Sequence, residues 1–269
     1  MIDTGTIARE VVASRASREP IAVLPSARGL DLPTAYAVEA ELARGRVAAG
    51  HRVVGVKVGY ANKAVWRALK LDTVAWGSMY DDTVTYASGG HATLAIGRMI
   101  APRIEPEIVV KLAAPLPAGL ADPVEVLRHV EWLTLGFEII DPPYGDLKFQ
   151  PIDFVAAYGL HAGLVVGEPV HPTDDARAAL AEALASFKVT LAKGDVVAAE
   201  GGGRNVMRNP ALCLAELASA RDRAGLPPLG AGDLVSTGTL TDSQPIAAGE
   251  QWIARADGLP VAAIAVTLT

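Results

Sequence analysis

Apolar residues recur at helical spacing through the first fifty positions of the chain. The pattern predicts helices over residues 7–16 and 34–49. In the second helix Val38 and Leu42 share one face, and Gly50 is suited to end it. This opening part of the chain is therefore expected to be helical.

The next segment combines a strand with a further helix. An apolar run at residues 53–58 predicts a short strand. Asn62 has a side chain suited to capping a helix N-terminus, so a helix is expected directly after it. In that helix Val65, Trp66 and Leu69 are expected to form the buried face.

Strand patterns dominate the middle of the chain. Residues 84–170 contain repeated apolar and β-branched runs, with one short helix predicted at 123–129. A charged helix at 174–184 precedes a predicted hairpin whose turn is at 193–195. Helices that come first, followed by a mixed or antiparallel sheet, favour an α+β fold.

The last quarter of the chain carries two clear local signals. Asn209 followed by Pro210 is typical of a helix start, and Gly225 is suited to end that helix. Asp257 with Gly258 predicts a turn in a final hairpin. A helix and then a pair of strands are therefore expected here.

Composition narrows the classes of function. Apolar residues make up 51% of the 269 positions, which is ample for a sizeable core. The formal net charge of −6, without a lysine and arginine cluster, argues against nucleic acid or an anionic membrane as partner. Residues 1–20 are charged and lack an apolar segment, so neither a signal peptide nor a membrane span is expected there. Cys213 is the one cysteine, which excludes an internal disulfide and favours a cytoplasmic location.

Three glutamates lie in stretches that are otherwise apolar and β-branched. Glu105 and Glu107 are two residues apart, and Glu138 follows in a second such stretch. Residues i and i+2 of a strand point to the same face, so Glu105 and Glu107 should project side by side. Neighbouring carboxylates repel unless a cation lies between them or one holds a proton. Three oxygen ligands without Cys or His suit Mg²⁺, with Mn²⁺ or Ca²⁺ as substitutes.

A solvated strand face is the alternative interpretation of the same spacing. Pro106 lacks a backbone N–H and cannot donate a ladder hydrogen bond, which fits an edge strand. Charged side chains are mostly exposed, and many charged strand faces bind nothing. Spacing alone leaves both interpretations open.

Other catalytic motifs are missing from the sequence. The run at 201–204 lacks the downstream glycine of G-x-G-x-x-G and the G-K-[ST] ending of a P-loop. The five histidines do not form a spacing such as H-E-x-x-H, and no serine nucleophile elbow occurs. The glutamates are therefore the strongest candidates for chemistry.

Five short segments are specific as an ordered set, although each alone is weak. They are residues 35–39, 54–59, 103–107, 136–141 and 229–239. Together they resemble the fumarylacetoacetate hydrolase superfamily, in particular its branch of 2-keto-4-pentenoate hydratases and 2-oxo-3-hexenedioate decarboxylases. The resemblance covers nearly the whole chain.

The resemblance implies a fold and an activity. The fold is expected to be α+β, with a mixed β-sheet roll of the fumarylacetoacetate hydrolase C-terminal type and an N-terminal helical region. Residues 1–60 are expected to form that helical region, packed on a catalytic core of residues 61–269. The activity implied is that of a metal-dependent lyase acting on short unsaturated 2-oxo acids.

The resemblance also assigns roles to particular residues. Glu105, Glu107 and Glu138 match the metal-binding carboxylates, and Lys57 matches a lysine that faces the substrate. Burial would lower the pKa of Lys57 and nearby carboxylates would raise it, so the sign is open. Asp82 lies where the family places an acidic turn and is a candidate catalytic residue, with a solvated turn as the alternative.

One segment departs from the family pattern. Many relatives carry Asp-Asn-Ala-Ser where this chain has Ala157 and Tyr158 in place of the acid and amide, and His161 replaces a small hydroxyl residue. We therefore hypothesise that His161, with Tyr158, supplies proton transfer, since histidine titrates near neutral pH. A core histidine bonded to a backbone carbonyl is the alternative.

Several functions stay open from the sequence. The lead interpretation is a hydratase that adds water to a short unsaturated 2-oxo acid in aromatic meta-cleavage catabolism. A 2-oxo-3-hexenedioate-type decarboxylase would need a cation for its second carboxylate, with Lys148 and Arg204 as candidates. An acylpyruvate C–C hydrolase and a non-catalytic metal- or oxo-acid-binding partner subunit are further alternatives. The Ala and Val content and the resemblance also predict a homo-oligomer.

Overall fold

The computed structural model describes residues 3–145 and 148–269. Within these ranges the helices are α1 (Thr4–Ser17), α2 (Leu32–Ala48), α3 (Trp66–Leu69), α4 (Pro123–Leu127), α5 (Pro151–Val155), α6 (Arg177–Ser186) and α7 (Pro210–Arg223). The strands are β1 (Val53–Gly59), β2 (Ala75–Tyr80), β3 (Val84–Tyr86), β4 (His91–Leu94), β5 (Arg103–Leu112), β6 (Val130–Ile140), β7 (His161–Val166), β8 (Lys188–Lys193), β9 (Val196–Gly202), β10 (Leu234–Thr239), β11 (Gln244–Pro245), β12 (Gln251–Asp257) and β13 (Ile264–Leu268).

Two β-sheets form the framework of the molecule. The larger runs in the order β2-β1-β10-β5-β6-β7-β3, with β11 paired to β5, and the smaller runs β4-β13-β12-β8-β9. Most neighbours are antiparallel, whereas β1 with β10, β3 with β7 and β4 with β13 are parallel. The sheets are therefore mixed, and the predicted α+β class is confirmed.

The main hydrophobic core joins both sheets to the helices of the second half. Its fully buried members include Ile108 on β5, Leu133 on β6, Leu191 on β8 and Leu217 on α7. Burying one such side chain contributes roughly 1.5–3 kcal/mol relative to leaving it exposed. This core holds β5 and β6, which carry the three glutamates, in the interior.

Strand β5 lies inside the larger sheet, between β10 and β6. The edge position that Pro106 suggested is therefore wrong. The carbonyl oxygen of Pro106 accepts a hydrogen bond from Leu240 N at 2.9 Å, so the side of Pro106 without an N–H faces β10. The register of β5 with β10 shifts between Ser236 and Thr239. That irregularity accommodates the missing donor in an interior strand.

The two N-terminal helices pack against each other and onto the rest of the chain. Asp3 caps α1, and Asp31 caps α2 by accepting a hydrogen bond from Thr34 N at 2.9 Å. A second apolar cluster joins Val11 and Val38 from these helices to residues of β2, α5 and the segment after it. Strand β1, which also precedes residue 60, belongs to the larger sheet. The division of the chain at residue 60 stays a prediction.

The helix predicted after Asn62 is shorter and more exposed than expected. Asn62 accepts a backbone hydrogen bond of 3.0 Å, as a cap does, but the segment forms a 3₁₀ turn at Lys63–Val65 and the single turn α3. Val65 is 39% exposed, and Trp66 and Leu69 are partly exposed. The predicted buried face is therefore wrong, because one turn is too short to build an apolar stripe.

The helix and the two hairpins predicted for the last third of the chain are present, although the final hairpin has a longer connection than a tight turn at Asp257 and Gly258, because its last pair joins Ala254 to Ile264. Strands β8 and β9 form the expected hairpin, and β12 pairs antiparallel with β13. Asn209 caps α7 through a 2.8 Å bond from Ala211 N, and Gly225 follows the helix with φ of 71°. Cys213 is buried on α7.

Helix lengths bear on whether the chain crosses a membrane. The helix α2 has 17 residues, and α1 and α7 have 14 each. Over residues 3–145 and 148–269, no helix is both long and apolar enough to span a bilayer.

Candidate metal centre

Antiparallel pairing brings the three glutamates together. In the register of β5 with β6, Glu105 lies opposite Glu138 and Glu107 lies opposite Gly136. Because Glu105 and Glu107 are two residues apart, they lie on the same face. One carboxylate oxygen from each of the three glutamates lies within 4.8 Å of the other two. The expected cluster is thus assembled by one strand pair.

Glu107 is anchored through one of its two oxygens. Its Oε2 accepts hydrogen bonds from Ser236 Oγ at 2.6 Å and from Gly238 N at 2.8 Å. Its Oε1 is buried and has no hydrogen-bond partner among the described residues. A buried oxygen without a partner is unfavourable, so Oε1 is the atom available to a bound cation.

Sequence reasoning missed the two groups that anchor Glu107. Both lie in segment 229–239, which carried the family resemblance without any role for Ser236 or Gly238. Gly238 has φ of 106°, and a Cβ there would lie 2.7 Å from the Cβ of Ala61. Glycine is therefore needed for the backbone to reach Glu107. Ser236, two residues before Gly238, was the signal in the sequence that could have indicated a hydrogen-bond donor to the candidate metal-binding carboxylates.

Lys57 and His161 contact the two oxygens of Glu138. Lys57 projects from β1, is 2% exposed, and has its Nζ 2.9 Å from Glu138 Oε2. His161, at the start of β7, has its Nδ1 3.1 Å from Glu138 Oε1. The Lys57 ammonium also lies 4.7 Å from the ring centre of Phe154. The predicted substrate-facing lysine is therefore in the glutamate cluster.

The charges of this cluster do not balance. Three carboxylates face one ammonium in a water-poor interior, which leaves two negative charges. Burial raises the pKa of Glu105 to about 7, and burial together with Glu138 and Glu105 raises the pKa of Glu107 well above its ordinary value. Burial lowers the pKa of Lys57, but Glu138, Glu105 and Glu107 raise it by more. A divalent cation would neutralise the group and remove the need for these bound protons.

His161 has a partner at each ring nitrogen. Its Nε2 lies 2.9 Å from Thr83 Oγ1, and burial lowers the pKa of the imidazole. We assign Nδ1 as the nitrogen that donates to Glu138, whereas Nε2 faces the Thr83 hydroxyl, which itself donates to the carbonyl oxygen of Tyr80 at 2.8 Å. Both ring nitrogens therefore contact side chains, and neither contacts a backbone carbonyl. This arrangement fits a residue that orients Glu138. Its proposed role in proton transfer stays a prediction.

Asp82 lies outside the glutamate cluster. It forms an ion pair with Arg46, and His51 Nδ1 lies 3.4 Å from its Oδ1. Its side chain is 41% exposed. Together with Thr83 and His161 it lines a cavity between the N-terminal helices and β2. The structure therefore does not bring Asp82 to the carboxylates, and its catalytic role stays a prediction.

A cavity of about 390 Å³ opens beside Lys57 and Glu105. Its volume suits a small organic acid. Its apolar walls are Ile140, Phe149, Phe154 and Leu160, and its polar groups include Asn205, Thr239 and Asp242. Arg204, a sequence candidate for binding a second carboxylate, lines a different cavity together with Lys63 and Glu216.

The chain is similar over most of its length to known proteins. Residues 52–267 match the family described as fumarylacetoacetate (FAA) hydrolase C-terminal. The 2-keto-4-pentenoate hydratase 1 of Dechloromonas aromatica (strain RCB) is 29% identical over 262 residues, covering 96% of this chain and 95% of that protein. The 2-hydroxyhexa-2,4-dienoate hydratase of Comamonas testosteroni is 30% identical over 233 residues, covering 87% of this chain and 85% of that protein.

A solved structure shares the fold. The 4-oxalocrotonate decarboxylase from Pseudomonas putida G7, complexed with magnesium and adipate, superposes with a TM-score of 0.87 at 24% identity. The match covers 99% of this chain and 97% of that one. The family match extends from the start of β1 into β13 and so includes the strands that carry all three glutamates and Lys57. The chain therefore belongs to the fumarylacetoacetate hydrolase family.

Proposed function

We propose that this protein is a divalent-metal-dependent hydro-lyase that adds water to a short unsaturated 2-oxo acid, as 2-keto-4-pentenoate hydratases do in aromatic meta-cleavage catabolism. The observation that carries the proposal is the cluster of half-buried Glu105 with buried Glu107, Glu138 and Lys57, beside a cavity sized for a small acid. The hydratases to which the chain is similar along most of its length support the substrate class.

The three glutamates are the residues that would hold the metal ion. The unpartnered Oε1 of Glu107 and the two uncompensated negative charges both fit a dication. Carboxylate oxygens without nitrogen or sulfur suit Mg²⁺, with Mn²⁺ as the alternative. Bound there, the ion would supply Lewis-acid polarisation of the 2-oxo group.

Lys57 provides a fixed positive charge at the cavity wall. Its raised pKa keeps the ammonium protonated at neutral pH, so Nζ can donate to an oxygen of the substrate. A preorganised donor in a water-poor site stabilises negative charge that develops on such an oxygen during reaction. Phe149 and Phe154 line the same cavity and would exclude bulk water from the hydrocarbon part of the acid.

His161 and Thr83 act behind this group. The chain Thr83 Oγ1, His161 Nε2, His161 Nδ1 and Glu138 Oε1 orients the Glu138 carboxylate from the side away from Lys57. In this role His161 is a positioning residue, and its part in proton transfer stays a prediction.

A decarboxylase of a 2-oxo diacid is the second candidate. One observation favours it: Nε and Nη2 of Arg15, in the cavity that His161 also lines, are shielded from solvent and have no hydrogen-bond acceptor among the described residues. A diacid carries a second carboxylate that such a cation could hold. The same set of glutamates and Lys57 would serve either reaction.

Two further features belong to the proposal. We propose that the protein works as a homo-oligomer, because its composition and its family favour one, and in the cytoplasm, because its single cysteine is free. Size-exclusion chromatography with light scattering would test the first. A monomer at micromolar concentration would contradict it.

Ultraviolet absorbance tests the function. Protein stripped of metal and then given Mg²⁺ is mixed with 2-hydroxypenta-2,4-dienoate, and separately with 2-oxo-3-hexenedioate. We expect metal-dependent loss of the dienol signal with formation of 4-hydroxy-2-oxopentanoate. Release of CO₂ from the diacid alone would move the assignment to the decarboxylase. Silence on both would overturn both and leave the acylpyruvate hydrolase and the non-catalytic partner subunit.

A further inference from the structure

A second cavity adjoins the glutamate cluster through His161. It has a volume of about 720 Å³ and lies between helices α1 and α2 and the segments that contain Tyr80 and Tyr158. His161 lines this cavity and also contacts Glu138 Oε1 through its Nδ1. Much of the remaining lining is apolar, including Ala8, Val12, Ala13 and Leu42.

Arg15 places a cation in this cavity without a bonded acceptor. It projects from α1, and its Nε and Nη2 are shielded from solvent and donate no hydrogen bond to any described residue. Its guanidinium carbon lies 4.7 Å from the ring centre of Tyr158. Burial lowers the pKa of Arg15, but a guanidinium keeps its proton in proteins. A buried charge with unsatisfied donors is unfavourable unless a ligand supplies the acceptor.

The other charged side chains of the lining are neutralised by neighbours. The pairs are Arg9 with Asp3, Glu41 with Arg44, and Arg46 with Asp82. Arg46 also stacks on Tyr80, with its guanidinium carbon 4.8 Å from the ring centre. Among the arginines and carboxylates of the lining that the structure describes, Arg15 alone forms no ion pair. The Asp141 carboxylate, outside the lining, raises the pKa of Arg15 without forming an ion pair with it, so the guanidinium can still take a carboxylate as its bonded partner.

We propose that this cavity binds a carboxylate through the fork of Arg15, with the hydrocarbon part of the ligand against Tyr158 and the apolar lining. A carboxylate offers two coplanar oxygens that match two N–H groups of a guanidinium. The carboxylate belongs either to the far end of a dicarboxylic 2-oxo acid, in which case the proposal rests on the second candidate function, the diacid decarboxylase, or to a separate small acid.

Isothermal titration of two matched ligands distinguishes these sources. On Mg²⁺-loaded protein, 2-oxoadipate and 2-oxohexanoate differ only in the second carboxylate. If it reaches Arg15, wild type binds the diacid on the order of tenfold more tightly, and Arg15→Met removes that preference without changing 2-oxohexanoate binding. If the site takes a separate acid, both oxo acids bind alike. Glutarate then binds to protein already saturated with 2-oxohexanoate, and Arg15→Met removes that binding.

Controls separate the role of Arg15 from general charge and from folding. Arg128→Met removes an equal charge beside α4, where neither Arg128 nor its ion-pair partner Glu125 lines this cavity, and is expected to leave both titrations within about twofold of wild type. Arg15→Lys keeps the charge but loses the fork, so an intermediate affinity is expected. Thermal unfolding checks that each variant is folded.

Two results would overturn the carboxylate site. One is an Arg15→Met variant with wild-type affinity for 2-oxoadipate and glutarate, and the other is an equal loss in Arg128→Met. Glutarate titration into metal-free protein does not depend on the metal centre. A failure of 2-oxohexanoate to bind with Mg²⁺ would count against the proposed function and not against Arg15.

Discussion

At the scale of single residues, the candidate metal centre depends on which oxygen atoms the protein has already bonded. Glu107 uses Oε2 for Ser236 and Gly238, and Glu138 has Lys57 at one oxygen and His161 at the other. The carboxylates of Glu107 and Glu138 are therefore oriented before any cation binds. Because these side chains are already ordered, they lose less conformational entropy when a metal ion binds.

Substitution of Glu107 tests its role as a ligand. Glu107→Gln keeps the shape and an oxygen that can accept from Ser236 and Gly238, but removes one anionic ligand. We expect Mg²⁺ affinity to fall at least about tenfold, or about 1.4 kcal/mol. The metal-free variant should stay folded, because a neutral amide relieves repulsion with its neighbours. Isothermal titration and thermal unfolding measure the two effects.

A matched control lies on the neighbouring strand. Glu131 is on β6, like Glu138, but pairs with Lys111 away from the cluster. Glu131→Gln should bind Mg²⁺ as wild type does. Wild-type Mg²⁺ affinity in Glu107→Gln would contradict the assignment of this glutamate.

Lys57 is expected to act in turnover and not in holding the metal. In Lys57→Met the donor at the cavity wall is lost, so turnover should fall by roughly 10²–10³, the loss typical of a single charge-stabilising donor. Mg²⁺ binding should persist, because no ligand is removed. Steady-state kinetics and titration on one preparation would show this split, with the exposed Lys63→Met as control. Unchanged turnover would exclude Lys57 from the reaction.

At the scale of elements, strand register decides where these side chains meet. Glu105 and Glu107 were predictable as neighbours from their spacing, since strand periodicity is local. The position of Glu138 opposite Glu105 follows from the pairing of β5 with β6. Lys57 lies near them because β1 pairs with β10, which in turn pairs with β5. Pairing between distant strands has no local signal, so the family resemblance supplied what spacing could not.

Gly55 allows β1 to lie close to β10 because it has no side chain. Gly55 lies opposite Leu234, and a Cβ at Gly55 would lie 1.9 Å from the carbonyl oxygen of Leu234. Gly55→Ala should therefore separate the strands and lower the free energy of unfolding by more than about 4 kcal/mol. Urea denaturation measures the change, and circular dichroism shows whether the chain folds at all.

Gly97 provides the control for this prediction. It lies in an exposed turn, and a Cβ there would meet nothing within 4 Å. Gly97→Ala should change the unfolding free energy by no more than about 0.5 kcal/mol. Equal stability of the two alanine variants would show that β1 tolerates displacement from β10.

Element boundaries were predictable where a local signal caps them. Asn209 with Pro210 marked the start of α7, because the capping hydrogen bond joins Asn209 to the backbone N–H of Ala211, only two residues away. Asn62 gave the same local signal correctly, yet the helix behind it is a single exposed turn. A cap decides where a helix begins, whereas tertiary packing decides its length and burial.

At the scale of the whole molecule, the uncompensated carboxylates link stability to pH and metal. Glu105 and Glu107 have pKa values raised above the ordinary 4.5 by burial. An acid with a raised folded-state pKa stabilises the fold below its unfolded pKa, and that contribution is lost as pH rises through the folded pKa. Between about pH 4.5 and 7 Glu105 should therefore destabilise the metal-free protein progressively, and the destabilisation by Glu107 begins in the same range.

Thermal unfolding of wild type and Glu107→Gln across this range isolates the effect from other carboxylates. In EDTA, wild type should lose stability relative to the variant as pH rises. With Mg²⁺ the order should reverse, because metal binding needs deprotonated ligands and strengthens with pH. Parallel curves in EDTA would show that the cluster carries no unusual protons.

The sequence by itself determined the fold class, the family, the strand face shared by Glu105 and Glu107, and the candidate set with Lys57 and Glu138. These features depend on periodicity, caps and ordered motifs, which are local or repeated in relatives. Only the tertiary structure decided that β5 is an interior strand, that Ser236 and Gly238 anchor Glu107, that His161 contacts Glu138, and that Asp82 lies outside the glutamate cluster. Each of these depends on contacts between residues distant in sequence, and the shape of such contacts is set by how whole strands pair and pack.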